Sequence, residues 1–227
     1  MEFFDAVRAR RSIRKYTPDI VPNEVMEQAL DAALLAPNSS NMQTWRIYWI
    51  HETETKKKIA HACMNQGAAR TAQELVVFVA DPSTWKVAQE ANLKHLGPNA
   101  RKDVITYYKV LMPFLYSWRF LAPVKWLVFN IMGLIKPVVR KPWSSRDISE
   151  VAVKSTALAS ENFMLAISAQ GYDTCPMEGF DERRVKKILK LSCRASVVMI
   201  ISVGKRDEGG LAGERFRLPK EMVIKKI

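Results

Sequence analysis

The chain is poor in cysteine and histidine and, over one long stretch, almost without acids. Its three cysteines, Cys63, Cys175 and Cys193, lie far apart in 227 residues. So sparse a set suggests neither a disulfide scaffold nor an oxidising compartment. The three histidines, His51, His61 and His95, show no metal-ligand spacing and no recognisable acid partner, so no metal is expected. Nor does the sequence identify a histidine partner for any cysteine, which argues against a thiol nucleophile. Met1-Glu2-Phe3-Phe4-Asp5 carries acids where an export leader would carry a basic start and an apolar core, and a cytoplasmic protein is expected. There is no internal repeat and no low-complexity linker. Between residues 100 and 145 the longest uncharged piece, Trp126 to Ile135, has ten residues and contains Asn130 and Gly133. A bilayer span needs roughly 18 to 20 apolar residues.

What the chain does have is positive charge. Lys and Arg number 35 against 23 acids, a formal charge of +12. Three partners suit that balance: nucleic acid, an anionic membrane surface or a phosphorylated cofactor. No zinc-finger spacing, recognition helix or aromatic RNA-binding box accompanies the charge, so a nucleic-acid partner is not expected. A hydrophobic fraction of 48% supports a substantial core, and the length suits one domain over 1–227 carrying an insertion at 100–145.

Periodicity orders the elements. Phe3, Phe4, Ala6 and Val7 repeat at helical spacing, and Val25, Met26, Ala29, Leu30, Ala33 and Leu34 mark a second helix between Pro22 and Ala36. Trp45–Ile50 is strand-like, and Leu75–Ala80 is an unbroken apolar run that suits a strand buried on both faces. Helices are expected over 55–64, 85–96 and 147–170, the last stopped by Gly171. Asp181 is placed to cap a helix ending near Leu191, and 196–203 is a further buried strand. Residues 222–227 are expected to add an edge strand.

Four stretches carry the chemistry. Arg10-Arg11-Ser12-Ile13-Arg14 sets three guanidiniums and a hydroxyl within five residues, a donor set that complements phosphate oxygens but also suits a solvated basic turn. The others are the polar loop Asn38-Ser39-Ser40-Asn41-Met42-Gln43, the turn Pro176-Met177-Glu178-Gly179, and Arg215-Phe216-Arg217 before Leu218-Pro219. In this order and at these separations they resemble the flavin-binding signature of the nitroreductase family, over roughly residues 1–97 and 146–227.

That resemblance implies an α+β fold, a three-layer sandwich with a central mixed sheet wrapped by helices, in a domain-swapped-type homodimer. It implies FMN as cofactor and NAD(P)H as electron donor. By the resemblance Arg10 and Ser12 hold the phosphate and ribityl end and Arg14 the pyrimidine edge, where a fixed cation favours the reduced, anionic ring, and Arg11 is a further cofactor-binding residue. Arg215 and Arg217 grip the phosphate, in a small departure from the more usual lysine-arginine pair. Pro176, Met177, Glu178 and Gly179 lie along the ring, the Glu178 backbone amide donating to N5, so Glu178 positions the flavin and no side chain is a general acid. Asn38, Ser39, Asn41 and Gln43 reach the flavin of the other subunit, and Gln66 (or Asn65) and Ser155 add further contacts.

Residues 100–145 lie outside the resemblance. Arg101 to Lys141 holds eight basic residues and one acid, Asp103, interleaved with aromatics. Tyr107, Tyr108, Phe114, Tyr116, Trp118 and Phe120 would roof the flavin as a substrate lid. Residues 101–141 could instead make a peripheral membrane contact, or simply pack. The resulting expectation is ping-pong hydride transfer from NAD(P)H through flavin N5 to a nitroaromatic, quinone or similar flat small-molecule acceptor. Two alternatives remain open: a deiodinase-like reductive dehalogenase on the same fold, and a membrane-surface flavin-binding protein with little turnover.

Overall fold

The computed structural model describes residues 1–117, 121–142 and 144–227. Its helices in chain order are α1 (Phe3–Ala9), α2 (Asn23–Leu34), α3 (Thr53–Ala62), α4 (Gly67–Thr71), α5 (Trp85–Leu96), α6 (Lys102–Thr106), α7 (Met112–Tyr116), α8 (Ala122–Met132), α9 (Ser145–Ala169), α10 (Glu182–Ile188) and α11 (Lys220–Val223). The strands are β1 (Trp45–Ile50), β2 (Glu74–Ala80), β3 (Asp173–Met177) and β4 (Ser196–Gly204), arranged β1-β2-β4-β3. All three strand pairs are antiparallel. Among the described residues the parallel component is one bridge, between Ser12 and Thr174.

The apolar run of β2 is buried on both faces. Leu75, Val77 and Val79 join Ile59, Val185 and Ile200 in one cluster, while Val76 and Phe78 join Met26, Phe163, Ile167 and Ile201 in another. The sheet therefore lies between two helical layers, α3, α4 and α10 on one side and α2 and α9 on the other. Strand alternation alone produces this division, because successive side chains leave opposite faces.

Helix α9 spans the second layer. Its start is fixed by Ser144, whose Oγ accepts from Asp147 N at 3.1 Å while the Asp147 carboxylate accepts from Ser144 N at 3.0 Å. This reciprocal cap lies just before the expected start at Asp147. The buried hydroxyls of α9 find carbonyl partners: Thr156 donates to Ala152 O and Ser160 to Thr156 O within the helix, at 2.8 and 3.0 Å, and Ser168 donates to Ala6 O of α1 at 3.0 Å. Polar residues can thus enter the core without orphaned groups.

The first helix forms where the spacing placed it, with Phe3 and Phe4 62% and 69% exposed and Ala6 buried. Helical spacing identifies a stripe but not which side meets the core. Two expectations need correction. Residues 173–177 are a strand although Pro176 suggests a loop; β3 is the last strand of the sheet, where a missing N–H is tolerated. The tail forms the short helix α11 where an edge strand was expected, and every residue from 211 onward is exposed.

A third cluster, Met42, Trp85, Met112, Leu115, Tyr116 and Ile148, anchors the middle of the chain. It joins the loop after α2, the start of α5, α7 and the first turn of α9.

Candidate functional site

The basic pentapeptide runs along β3. Ile13 N donates to Thr174 O at 3.0 Å and Arg14 N to Gly210 O at 2.8 Å, so the stretch is pinned by main-chain bonds on both sides. Beneath it, Arg206 clasps Asp173 with two parallel bonds, Nε to Oδ2 at 2.9 Å and Nη2 to Oδ1 at 2.6 Å. Asp173 is 7% exposed in its side chain and holds the Arg206 guanidinium above the usual arginine value through this hydrogen bond. Neither residue was singled out by sequence, since a lone Asp and a lone Arg 33 positions apart carry no motif.

The pinning brings distant arginines together. Arg10, Arg11, Ser12, Arg14, Arg215 and Arg217 line one cleft of about 190 Å³, with Gly213, Glu214 and Phe216. Arg11 Nη2 donates to Gly213 O at 2.6 Å, and Arg215 donates to the Arg10 carbonyl. Partial desolvation, and then the like charges of Arg11, Arg217 and Arg10, hold Arg215 below the ordinary arginine value. Guanidiniums held together in this way are the complement of a multiply charged anion. Arg10 also leans toward Glu161 of α9 at 3.9 Å.

A second set of predicted residues meets beside Arg14. Gln66 Nε2 donates to Gly179 O at 2.7 Å, linking the turn before α4 to the turn after β3. Gly67 lies so close to Arg14 that a Cβ there would stand 2.7 Å from the Arg14 carbonyl oxygen, so this contact requires glycine. Glu178 and Gly179 are exposed, while Pro176 is half-buried and Met177 buried in β3.

The loop Asn38–Gln43 is built from its own side chains. Asn38 Oδ1 accepts from Gln43 N at 2.9 Å, Gln43 Nε2 donates to Asn41 Oδ1 at 3.3 Å, and Ser39 N approaches Ser155 Oγ at 3.5 Å. Ser40, Asn41 and Gln43 all take left-handed backbone angles, φ 58°, 49° and 42°. Among the described residues, no hydrogen bond joins this loop to the arginine cleft.

The aromatics of the middle segment hold that loop. Tyr107 and Ser40 meet hydroxyl to hydroxyl at 2.5 Å, and Tyr108 OH donates to Ser40 O at 3.1 Å. Tyr116 is 5% exposed and stacks on Trp85, with ring centroids 5.6 Å apart. Phe114 is half-buried and lines a separate cavity of about 600 Å³ with Tyr107, Val110, Leu111 and Pro113. Trp118 and Phe120, also expected in the lid, lie outside the described residues. Two cysteines are buried: burial pushes the Cys63 thiol up to about 11 and raises Cys175, against a smaller opposing effect of Arg14.

Comparison with known proteins identifies the family. The nitroreductase family model matches residues 7–205. The NADH dehydrogenase of Thermus thermophilus is 29% identical, covering 96% of this chain and 93% of its own. YdgI of Bacillus subtilis, whose name places it among the NAD(P)H nitroreductases, is 30% identical over 98% of this chain and 96% of its own. A structure from Exiguobacterium sibiricum solved in complex with FMN superposes with a TM-score of 0.74 at 25% identity, covering 100% of this chain and 98% of that one. The chain belongs to the nitroreductase family.

Proposed function

We propose that this protein is a cytoplasmic FMN-dependent NAD(P)H oxidoreductase that works as a homodimer, a single domain over 1–227 with residues 100–145 inserted. The observation that carries the reading is the convergence of Arg10, Arg11, Arg14, Arg215 and Arg217 with Ser12 on one cleft. At about 190 Å³ the cleft is of a size for the phosphate end of a nucleotide, and its donor set is the one such a phosphate needs. The T. thermophilus relative is named for NADH, and the E. sibiricum structure holds FMN.

The chemistry supplied by FMN when bound is two-electron hydride exchange at N5, first with NAD(P)H and then with a nitroaromatic, quinone or similar flat acceptor, in ping-pong order. Arg11, Arg215 and Arg217 hold the phosphate, and the Ser12 hydroxyl adds a donor. Arg14 contributes a cation that favours the negative charge of the reduced state. Gln66, by holding the Gly179 carbonyl, fixes the turn whose Glu178 N–H is offered to the ring, while Pro176 and Met177 set its approach. Asn38, Ser39, Asn41 and Gln43 serve the site of the other subunit, and Ser155 of α9 adds a further contact to the flavin. The exposed apolar side chains of α1 and the tail, including Phe3, Phe4, Phe216 and Leu218, support a second copy as the partner that covers them.

The phosphate cleft is tested by comparing FMN with riboflavin in a fluorescence titration. FMN is expected to bind at least a hundredfold tighter, since charged hydrogen bonds to a phosphate contribute about 1.5–3 kcal/mol each. Equal affinities would remove the phosphate from the cleft.

A further inference from the structure

Helix α8 is turned inside out relative to an ordinary surface helix. Its one charged residue, Lys125, is 3% exposed; the ammonium donates to the Phe114 carbonyl and sits 4.3 Å from the centre of the Phe114 ring. Phe129 also faces inward, against the third core cluster. Val124, Leu127, Val128 and Ile131, spaced i, i+3, i+4 and i+7, form the outward stripe and are 57%, 53%, 45% and 56% exposed. An amphipathic helix in water shows the opposite pattern.

The stripe continues past the helix end. Arg140 folds back to donate to Asn130 Oδ1 at 2.6 Å and lies over Gly133, where a Cβ would stand 2.5 Å from its guanidinium. The turn so closed projects Leu134 and Ile135, which are 85% and 88% exposed.

We propose that the outward face of α8 and the Leu134–Ile135 tip seat this protein on an anionic phospholipid surface. Charge selects this occupant. Residues 121–142 contain no acid; besides the inward Lys125 they carry Lys136, Arg140 and Lys141, the last 3.3 Å from Glu150. A second copy meeting the same face would oppose Lys136 and Arg140 with their own duplicates, and like charges across an interface are costly. Anionic headgroups offset them instead. Length sets the mode of contact. Eleven residues make a helix of about 16 Å, half of a hydrocarbon core, and among the described residues no helix is long and apolar enough to cross a membrane. α8 therefore lies in the plane of the interface, with Trp126, 59% exposed, on its flank at headgroup depth.

The test is sedimentation of the full chain with vesicles of phosphatidylcholine alone and of phosphatidylcholine containing about one-third phosphatidylserine. Binding to the anionic vesicles, at least tenfold weaker on neutral ones and weakened by salt, is expected. The L127E/I131E variant should lose that binding by at least tenfold while keeping its circular dichroism, its oligomeric state and its affinity for FMN. Three results would overturn the proposal: no sedimentation with anionic vesicles, equal binding by the variant, or a variant that changes oligomeric state, which would make the face a contact between copies. FMN affinity reads the flavin site separately, so failure here leaves that reading standing.

Discussion

The hydroxyls of Tyr107 and Ser40 lie 2.5 Å apart and tie the middle segment to the loop that carries Ser39, Asn41 and Gln43. Three residues of that loop hold left-handed angles, which cost energy in residues other than glycine and persist only where neighbours enforce them.

Tyr107→Phe removes the bond without removing the ring. Losing one hydrogen bond costs about 1 kcal/mol, or roughly fivefold in local opening. Amide exchange over residues 38–43 should quicken by about that factor. Exchange unchanged from the wild type would mean that the loop is held by other contacts.

Arg14→Ala should lower the potential of bound flavin by some tens of millivolts and slow its reduction, with Arg14→Lys recovering part of both. Spectroelectrochemistry measures the first and stopped flow the second. A variant matching the wild type in both would leave Arg14 without the role proposed for it.

Stability should fall on the alkaline side. Burial raises the Tyr16 hydroxyl above its ordinary value, Cys63 to about 11 and Tyr116 to about 12. The unfolded chain loses these protons first, so their contribution is complete below the ordinary values and is lost as pH rises from about 9 through the folded ones. Tyr16→Phe, which breaks the 2.9 Å contact with Ser202 Oγ, should cost about 1 kcal/mol at neutral pH and make the alkaline slope of Tm shallower. An unchanged slope would contradict this assignment.

Ser144→Ala removes the cap of α9. A loss of about 1 kcal/mol in urea denaturation is expected, without a change in m-value. No loss would mean that the Asp147 side of the box is sufficient alone.

Much of this arrangement was legible in the sequence wherever one periodicity or one cap decided the outcome. The burial of β2 follows from Leu75–Ala80, and the cap at Asp181, whose carboxylate accepts from Arg184 N at 3.1 Å, follows from residue type. Relationships set by tertiary packing were not legible. Pro176 disguised β3 because only its position at the sheet's edge makes proline acceptable there. Asp173 and Arg206 could not be paired before folding, and aromatics expected over a flavin include two that anchor a loop and one, Tyr116, that fills a core. The candidate cofactor residues came from a family resemblance. The structure brings the arginines at both ends of the chain into one cleft, and the other predicted residues into two further groups.

The most direct measurement is the visible spectrum of the purified protein after incubation with FMN and removal of the excess, followed by anaerobic addition of NADH and of NADPH. A retained flavin band that bleaches with one or both nicotinamides is the predicted result. A protein that emerges colourless, or a band that neither nicotinamide reduces, would contradict the account.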